Sequence, residues 1–510
     1  MNNLKMYYAP DEVLPLRPLK PGCEAVSDGA AYAAIDAYVE QQMRRLNIPG
    51  VALAVVEGER IVYRRGFGRA WPGGGPPSPE TPFVLGSTTK SFTALAVMQL
   101  VEAGKVELDA PVQRYLPWFR VADPQASAQM TVRHLLNQTS GFSMLAGMAG
   151  LADFDNRPDA AERQARALVS LKLSRPVGAA WEYSNLNYNL LGLIIEAASG
   201  EPYAEYIERH IFAPLDMRHS YTSQAAAREH GLAIGHRYWF ASPVAAPHIP
   251  LPRGSLAAGL LISCAEDMAH WLIAHLNGGR YGETQILSAA GIEALHRGAA
   301  DMQVMNRSVG EYGMGWFVER IGETEVVWHG GNVADFSSYM ALLPQQRKGV
   351  VLLVNADHYG LPFVLPEVGA GVAALLAGQQ PPPIQLGFIP WAMRALPLIP
   401  LVQAIGVGAT VRRIRAWQRD PAARPSDGRG VARHVLLPLV PNLALAATPA
   451  LLRAARLDRY LRLYNPDVFW TASLCGGFAA GWAVLRTAWI LRTLGRTEGG
   501  RANARRDHGR

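Results

Sequence analysis

The chain has 510 residues, enough for two or three compact units, and its formal charge of +7 is unevenly spread. Residues 384–510 carry 19 arginines, no lysine and 6 acids, while the first 383 residues carry 30 basic against 36 acidic side chains. Arginines flanking apolar runs point to a membrane rather than to nucleic acid. The three cysteines, Cys23, Cys264 and Cys475, are too scattered for a disulfide framework, and no Cys/His pair has metal spacing, so no cofactor is expected.

In chain order, residues 1–27 form a loose segment rich in proline and charge, with no apolar core of a secretory signal. Cys23 reads as an ordinary thiol there. The stretch "AAYAAIDAYVEQQMRRL" has helical period over 30–46. "GVALAVVEGERIVYRRGFG" predicts two strands joined at Gly58–Glu59. From 84 to about 300, helical patterns broken by Pro and Gly dominate. "TEVVWHG", "FSSYMALLP" and "KGVVLLVNA" then predict three more strands, with His329 closing the first. Strands at both ends and helices between them predict an α+β unit over 28–378: one antiparallel sheet flanked by helices, with a helical region inserted.

"AGQQPPPIQ" (377–385) reads as a linker, which the division into units extends over 379–394. Beyond it, residues 395–411, 435–452 and 468–485 are uncharged apolar runs near the lower length limit for crossing a bilayer. They predict a membrane region of about three helices over 395–491, followed by a basic tail, 492–510. The loop 412–433 carries seven arginines, the loop 453–466 four, and the tail six. Those counts put the first loop and the tail in the cytoplasm and the large N-terminal unit outside. A chain that starts upstream of Met1 would reconcile that orientation with the missing signal.

"GSTTKSF" (86–92) sets a serine and a lysine three apart where an apolar helix begins. Ser87 and Lys90 would share a face, the hydroxyl at the positive end of the helix dipole. A lysine buried there loses basicity and can take the hydroxyl proton. On its own the spacing is common, and Ser87 as a helix cap with Lys90 reaching solvent is the ordinary alternative. Two further stretches lift it above chance. In "VGAAWEYSNLNYNLLGLIIEAASG" (177–200), Tyr183 and Asn185 sit where a loop enters a helix. In "WHGGNVADFSSYMALLP" (328–344), His329 precedes two glycines, which let backbone approach a ligand.

In this order, Ser-x-x-Lys, Tyr-x-Asn and His-x-Gly resemble the active-site boxes of the penicillin-recognising serine hydrolases. The resemblance is to the branch holding class C β-lactamases, D-alanyl-D-alanine carboxypeptidases and related esterases. "TVRHLLNQTSGF", "IFAPLDMRHS", "LAAGLLISCAEDMAHWL" and "YGMGWF" look like further segments of that family. The resemblance covers about 28–378 and not the tail. It implies a β-lactamase-like fold in which Ser87 is acylated and Lys90 with Tyr183 handles the proton. Asn185, His329, Gly331 and Asn332 would bind substrate, with the N–H groups of Ser87 and Asn332 as the oxyanion hole. A phenolate at Tyr183 would need a nearby cation, for which Lys90 is the candidate. Histidine stands at 329 where β-lactamases usually carry lysine, so a cation there exists only near or below pH 6.5, which favours a peptidase or esterase.

The expected function is therefore a multi-pass, membrane-anchored serine hydrolase acting on an amide or ester, such as a D-amino-acid peptide of the cell wall. The alternatives are a receptor acylated without rapid turnover and a true β-lactamase. Its expected partners are a small-molecule or peptide substrate and the membrane. Nucleic acid is not among them, and oligomeric state is left open.

Overall fold

The stretch "GVALAVVE" is apolar throughout instead of alternating, and the sheet explains why. In the computed structural model, which describes residues 28–151, 153, 155–247, 251–304, 307–357, 364–425, 427–455 and 457–495, this strand is covered on both faces. The expectations for residues 1–27, Cys23 and residues 496–510 fall outside the described residues. The strands of the large sheet are β1 (Gly50–Glu57), β2 (Arg60–Gly68), β3 (Ala300–Val304), β4 (Arg307–Tyr312), β5 (Phe317–Ile321), β6 (Thr324–Val333), β7 (Phe336–Leu343) and β8 (Lys348–Val354). Their order is β2-β1-β8-β7-β6-β5-β4-β3, and every neighbouring pair is antiparallel.

The ends of the chain close the sheet as expected: Val51 pairs with Val354 and Glu57 with Lys348. Side chains on a strand alternate between faces. Ala52, Ala54 and Val56 join Val351, Leu353, Met340 and Leu342 in the main core, with Met268, Trp271 and Leu272 of the helix Ala265–Leu276. The other face is covered by the helices Asp28–Leu46 and Pro366–Leu376, where Gly369 lies against the ring of Tyr339 and Gly371 against that of Tyr38. A one-residue slip would carry each buried set to the wrong helix layer, which fixes the register.

The inserted region is mainly helical. Two of its helices position the site: α1 (Thr89–Glu102), entered through a tight turn at Gly86–Thr88, and α2 (Asn185–Ser199). Helix α1 has little amphipathic character because it is buried all round. Its polar groups are satisfied internally: Thr93 Oγ1 donates to the Ala257 carbonyl at 2.7 Å, and Ser91 Oγ to the Thr88 carbonyl at 2.9 Å. The sequence reading needs two corrections here. Strands β3 to β5 occupy the stretch after about 300, to which no element was assigned, and β6 runs on to Val333, so His329 lies inside a strand rather than at its end.

Among the described residues a second compact unit comprises 239–241 and those from 387 to 495. Its helices include a pair, Ile389–Ala395 and Leu398–Arg419, bent by 47°, and the continuous helical stretches Gly428–Ala454 and Pro466–Leu494. The last two are long and apolar enough to cross a membrane, and the bent pair qualifies if it is one span. All three predicted runs fall within these segments. Leu401, Val402, Ile405, Leu437, Val440, Leu474, Val484 and Leu485 are more than half exposed. Arg486 is buried within the unit, donating to the carbonyls of Val435 at 2.9 Å and His434 at 2.8 Å.

Candidate active site

The turn that carries Ser87 is pressed against strand β6. Gly86 has φ +63°, and a Cβ there would sit 2.7 Å from the Asn332 nitrogen; a Cβ at Gly331 would overlap the Leu85 carbonyl and come within 3.0 Å of the Ser87 nitrogen. Two glycines therefore let the backbone around Ser87 and that around Asn332 approach closely. Thr88 Oγ1 donates to the Leu85 carbonyl at 2.9 Å, and Ser338 Oγ of β7 donates to the same oxygen, tying the turn to the sheet.

Ser87 does not cap the helix: no side-chain capping bond forms at this end of α1. Its Oγ lies 2.9 Å from Lys90 Nζ, which also donates to Asn185 Oδ1 at 2.8 Å and to the Ala258 carbonyl at 2.6 Å. Lys90 has no measurable exposure, and loss of water pushes its pKa well below the ordinary lysine value. A neutral amine has two N–H donors and one lone pair. The Asn185 oxygen and the Ala258 carbonyl accept the donors, which leaves the lone pair for the Ser87 hydroxyl proton. That is the arrangement of a nucleophile and its base.

Tyr183 lies on the same pocket wall, its ring centroid 4.9 Å from Lys90 Nζ. Its enclosed hydroxyl makes no hydrogen bond, although the Ser87 side chain is near enough to favour its ionised form. Burial outweighs that contribution, with Tyr312 adding to it, and pushes the Tyr183 pKa well above the ordinary phenol value. Burial thus acts against the expected pairing of a Tyr183 phenolate with a Lys90 cation, since it lowers the Lys90 pKa and raises that of Tyr183.

Asn185 is the first residue of α2, and Ser184 is its N-cap. The Asn185 amide oxygen is bound to Lys90, so this side chain holds the amine in place. His329 is buried, and its expected protonation near pH 6.5 is also corrected: loss of water, then the neighbouring Lys90, pushes its pKa down to about 3. Asn332 donates its side-chain amide to Asp357 of a short neighbouring strand.

Several groups at this site carried no spacing signal. The Ala258 carbonyl comes from "LAAGLL", Tyr312 from "YGMGWF" and Gln138 from "HLLNQTSGF", segments noted for their resemblance but not as side chains with roles. Gln138 has φ +60°, and its Oε1 accepts from the Ser184 nitrogen at 2.9 Å, fixing the entry to α2. Trp181, Tyr183, Tyr312, Phe317 and His329 form an aromatic wall, with Phe317 4.9 Å from His329, while Trp328, on the opposite face of β6, stacks on Phe317 at 4.7 Å and on Tyr339 at 5.4 Å. Aromatic frequency in a sequence does not reveal such a wall, because its members come from four elements.

Among the described residues one group of potential metal ligands lies close together: His219, Cys264 and Asp267. Hydrogen bonds account for it. Cys264 caps its helix by accepting from the Asp267 nitrogen, and Asp267 Oδ2 accepts from the His219 nitrogen and Ser220 Oγ, each at 2.7 Å.

Residues 35–373 match the family described as Beta-lactamase. A relative, Protein flp of Staphylococcus aureus strain MW2, is 28% identical over 351 residues, which are 66% of this chain and 66% of that protein. The chain thus spans just under two thirds of that relative's length. Unguisins hydrolase ungD' of Aspergillus campestris is 29% identical over 332 residues, 63% of this chain and 61% of that one. Among solved structures, the octameric penicillin-binding protein homologue of Pyrococcus abyssi has a TM-score of 0.61 and 28% identity, covering 72% of this chain and 81% of its own. The D-amino acid amidase of Ochrobactrum anthropi SV3 has a TM-score of 0.58 and 26% identity, covering 68% and 98%.

Proposed function

The chain belongs to the β-lactamase family, and on that premise we propose that it is a membrane-anchored serine hydrolase that works through an acyl-enzyme on an amide or ester. The observation that carries this reading is the set of three oxygens around Lys90 Nζ, with Ser87 Oγ at 2.9 Å. Ser87 Oγ attacks the substrate carbonyl as its proton passes to the Lys90 amine, and an Oγ–C bond forms. The oxygen that becomes negative is received by the N–H groups of Ser87 and Asn332. Collapse breaks the bond to the leaving amine or alcohol, which takes the proton from Lys90 directly or through Tyr183. Water then repeats the sequence on the acyl-serine, giving the free acid and restoring Ser87.

The test is turnover by the purified full chain on chromogenic esters, D-alanyl peptides and a β-lactam, with intact-mass detection of the acylated protein. Hydrolysis that falls by about a thousandfold or more in Ser87→Ala is expected, as is an adduct on Ser87 when the chain is trapped with a slow substrate. Turnover unchanged by Ser87→Ala would overturn the assignment.

A further inference from the structure

This inference rests on the anchoring half of the proposed function and adds a ligand to it. The apolar runs 395–411, 435–452 and 468–485 reach a common boundary in the second unit. Ile414, Trp417, Val435 and Ile490, at or just beyond the run ends, pack into one cluster there. Arg486, the residue after the third run, is only 1% exposed. It donates from Nη1 to the Val435 carbonyl at 2.9 Å and from Nη2 to that of His434 at 2.8 Å, while its enclosed Nε has no partner. Arg424 donates from Nε to the Trp417 carbonyl at 2.9 Å, and its Nη1 is likewise enclosed and unpartnered. Arg413, half-buried and one turn before Trp417, lies near enough to Arg486 for their like charges to repel.

Backbone carbonyls accept these hydrogen bonds but supply no opposite charge. Residues 412–433 and 486–495 hold nine arginines against two acids, Asp420 and Asp427. Both acids are taken by backbone: Asp420 Oδ1 accepts from the Ala422 nitrogen at 2.9 Å and Asp427 Oδ1 from the Gly430 nitrogen at 2.8 Å. A buried guanidinium without a counter-charge is costly, and at the edge of a membrane the missing charge has an obvious source. We propose that this end of the helical unit binds the phosphate of an anionic phospholipid such as phosphatidylglycerol, with Arg413 making the contact and buried Arg486 supplying charge behind it. Headgroup phosphates lie where the apolar length of a span ends, which is the depth of this cluster. A guanidinium fork matches two phosphate oxygens. The acyl chains would lie along apolar side chains such as Leu401, Val402 and Ile405, exposed on the helix that carries Arg413, which favours a lipid over free phosphate.

The experiment offers the detergent-purified full chain equal amounts of phosphatidylglycerol and phosphatidylcholine and measures retained lipid by native mass spectrometry. The wild type is expected to retain phosphatidylglycerol over phosphatidylcholine by about tenfold or more. Arg413→Gln should cut that preference by about fivefold, the usual worth of one arginine beside an anionic surface. Arg453→Gln makes the same charge change at the far end of the second run and should leave the preference intact. The wild-type comparison decides the matter even if Arg413→Gln fails to fold. Equal retention of the two lipids, or equal losses in the two variants, would overturn the inference and leave the anchoring standing. Displacement of the retained phosphatidylglycerol by inorganic phosphate would overturn the lipid assignment. A chain that stays soluble without detergent would overturn the anchoring and this inference together.

Discussion

At the scale of single residues, the site depends on a buried lysine whose pKa is pushed well below the ordinary value by loss of water. Its folded pKa is lowered, so below the ordinary lysine value the unfolded chain binds a proton that the native state refuses. Lys90 therefore favours the folded state less as pH falls below about 10.4, and the deficit grows until the folded pKa is reached. Denaturant midpoints of the wild type and of Lys90→Met should diverge with pH, the wild type gaining relative to the variant between pH 7 and 9.5. A constant difference would contradict a neutral Lys90. The same variant should lose activity at every pH, because a thioether cannot take the proton of Ser87.

Spacing made Ser87 and Lys90 legible, since residues three apart on a helix must meet. Tyr183, Asn185 and His329 were legible only through the order of their boxes. Nothing local announced Tyr312 or the Ala258 carbonyl: one is a tyrosine in an edge-ward strand, the other a backbone oxygen. Each acquires a role from what packs opposite it.

At the scale of elements, the contact between the Gly86–Thr88 turn and strand β6 sets the distance between the two backbone nitrogens. Gly331→Ala would drive a methyl group into the Leu85 carbonyl and push the Ser87 nitrogen away from that of Asn332. It is expected to lower kcat by about a hundredfold, the usual effect of losing one such donor, with a smaller change in KM. Steady-state kinetics with a folded variant checks this, and an unchanged kcat would remove Asn332 from the proposed oxyanion site. The strand β6 also shows a limit of pattern reading. The pattern ended the strand at His329, whereas the two glycines that follow stay within the ladder so that another backbone can approach.

Elements of the second unit carry a different expectation. Exposed Leu401, Val402, Val440 and Val484 on helical stretches of span length predict that the full chain remains with membranes after alkaline carbonate washing and is released by detergent. Recovery in the soluble fraction would argue against anchoring. The lengths of these runs were readable in the sequence because bilayer thickness sets them. The 47° bend in the first was not, since it depends on the break between Ala395 and Leu398.

At the scale of the whole molecule, acid should be the weak point. His329 and His296 have pKa values pushed down to about 3 by burial, and His275, 2.9 Å from His296, is lowered as well. All three are depressed bases, so the unfolded chain takes up protons from about pH 6.5 downward while the native state does not. Glu319 and Glu367, pushed up to about 7, and Asp335, pushed up to about 6, oppose this above about pH 4. Their native carboxyls hold protons that the unfolded chain lacks, so the fall in stability is expected mainly from about pH 4 toward 3. Thermal midpoints across that range should show this, and a flat profile would mean that these imidazoles gain access to water in the native state.

By itself the sequence determined the hairpin and the three late strands, the apolar runs of the tail, and the order of the three boxes. These are properties of neighbours along the chain, where period, length and spacing act directly. Only the tertiary structure decided that Lys90 is buried against Asn185 and Ala258, that His329 lies between the Gly330 carbonyl and the Tyr312 hydroxyl, and that aromatic rings gather beside it. Those outcomes depend on which groups exclude water from which others, and for Lys90 that is set by segments 95 and 168 residues away, around Asn185 and Ala258, meeting in one core.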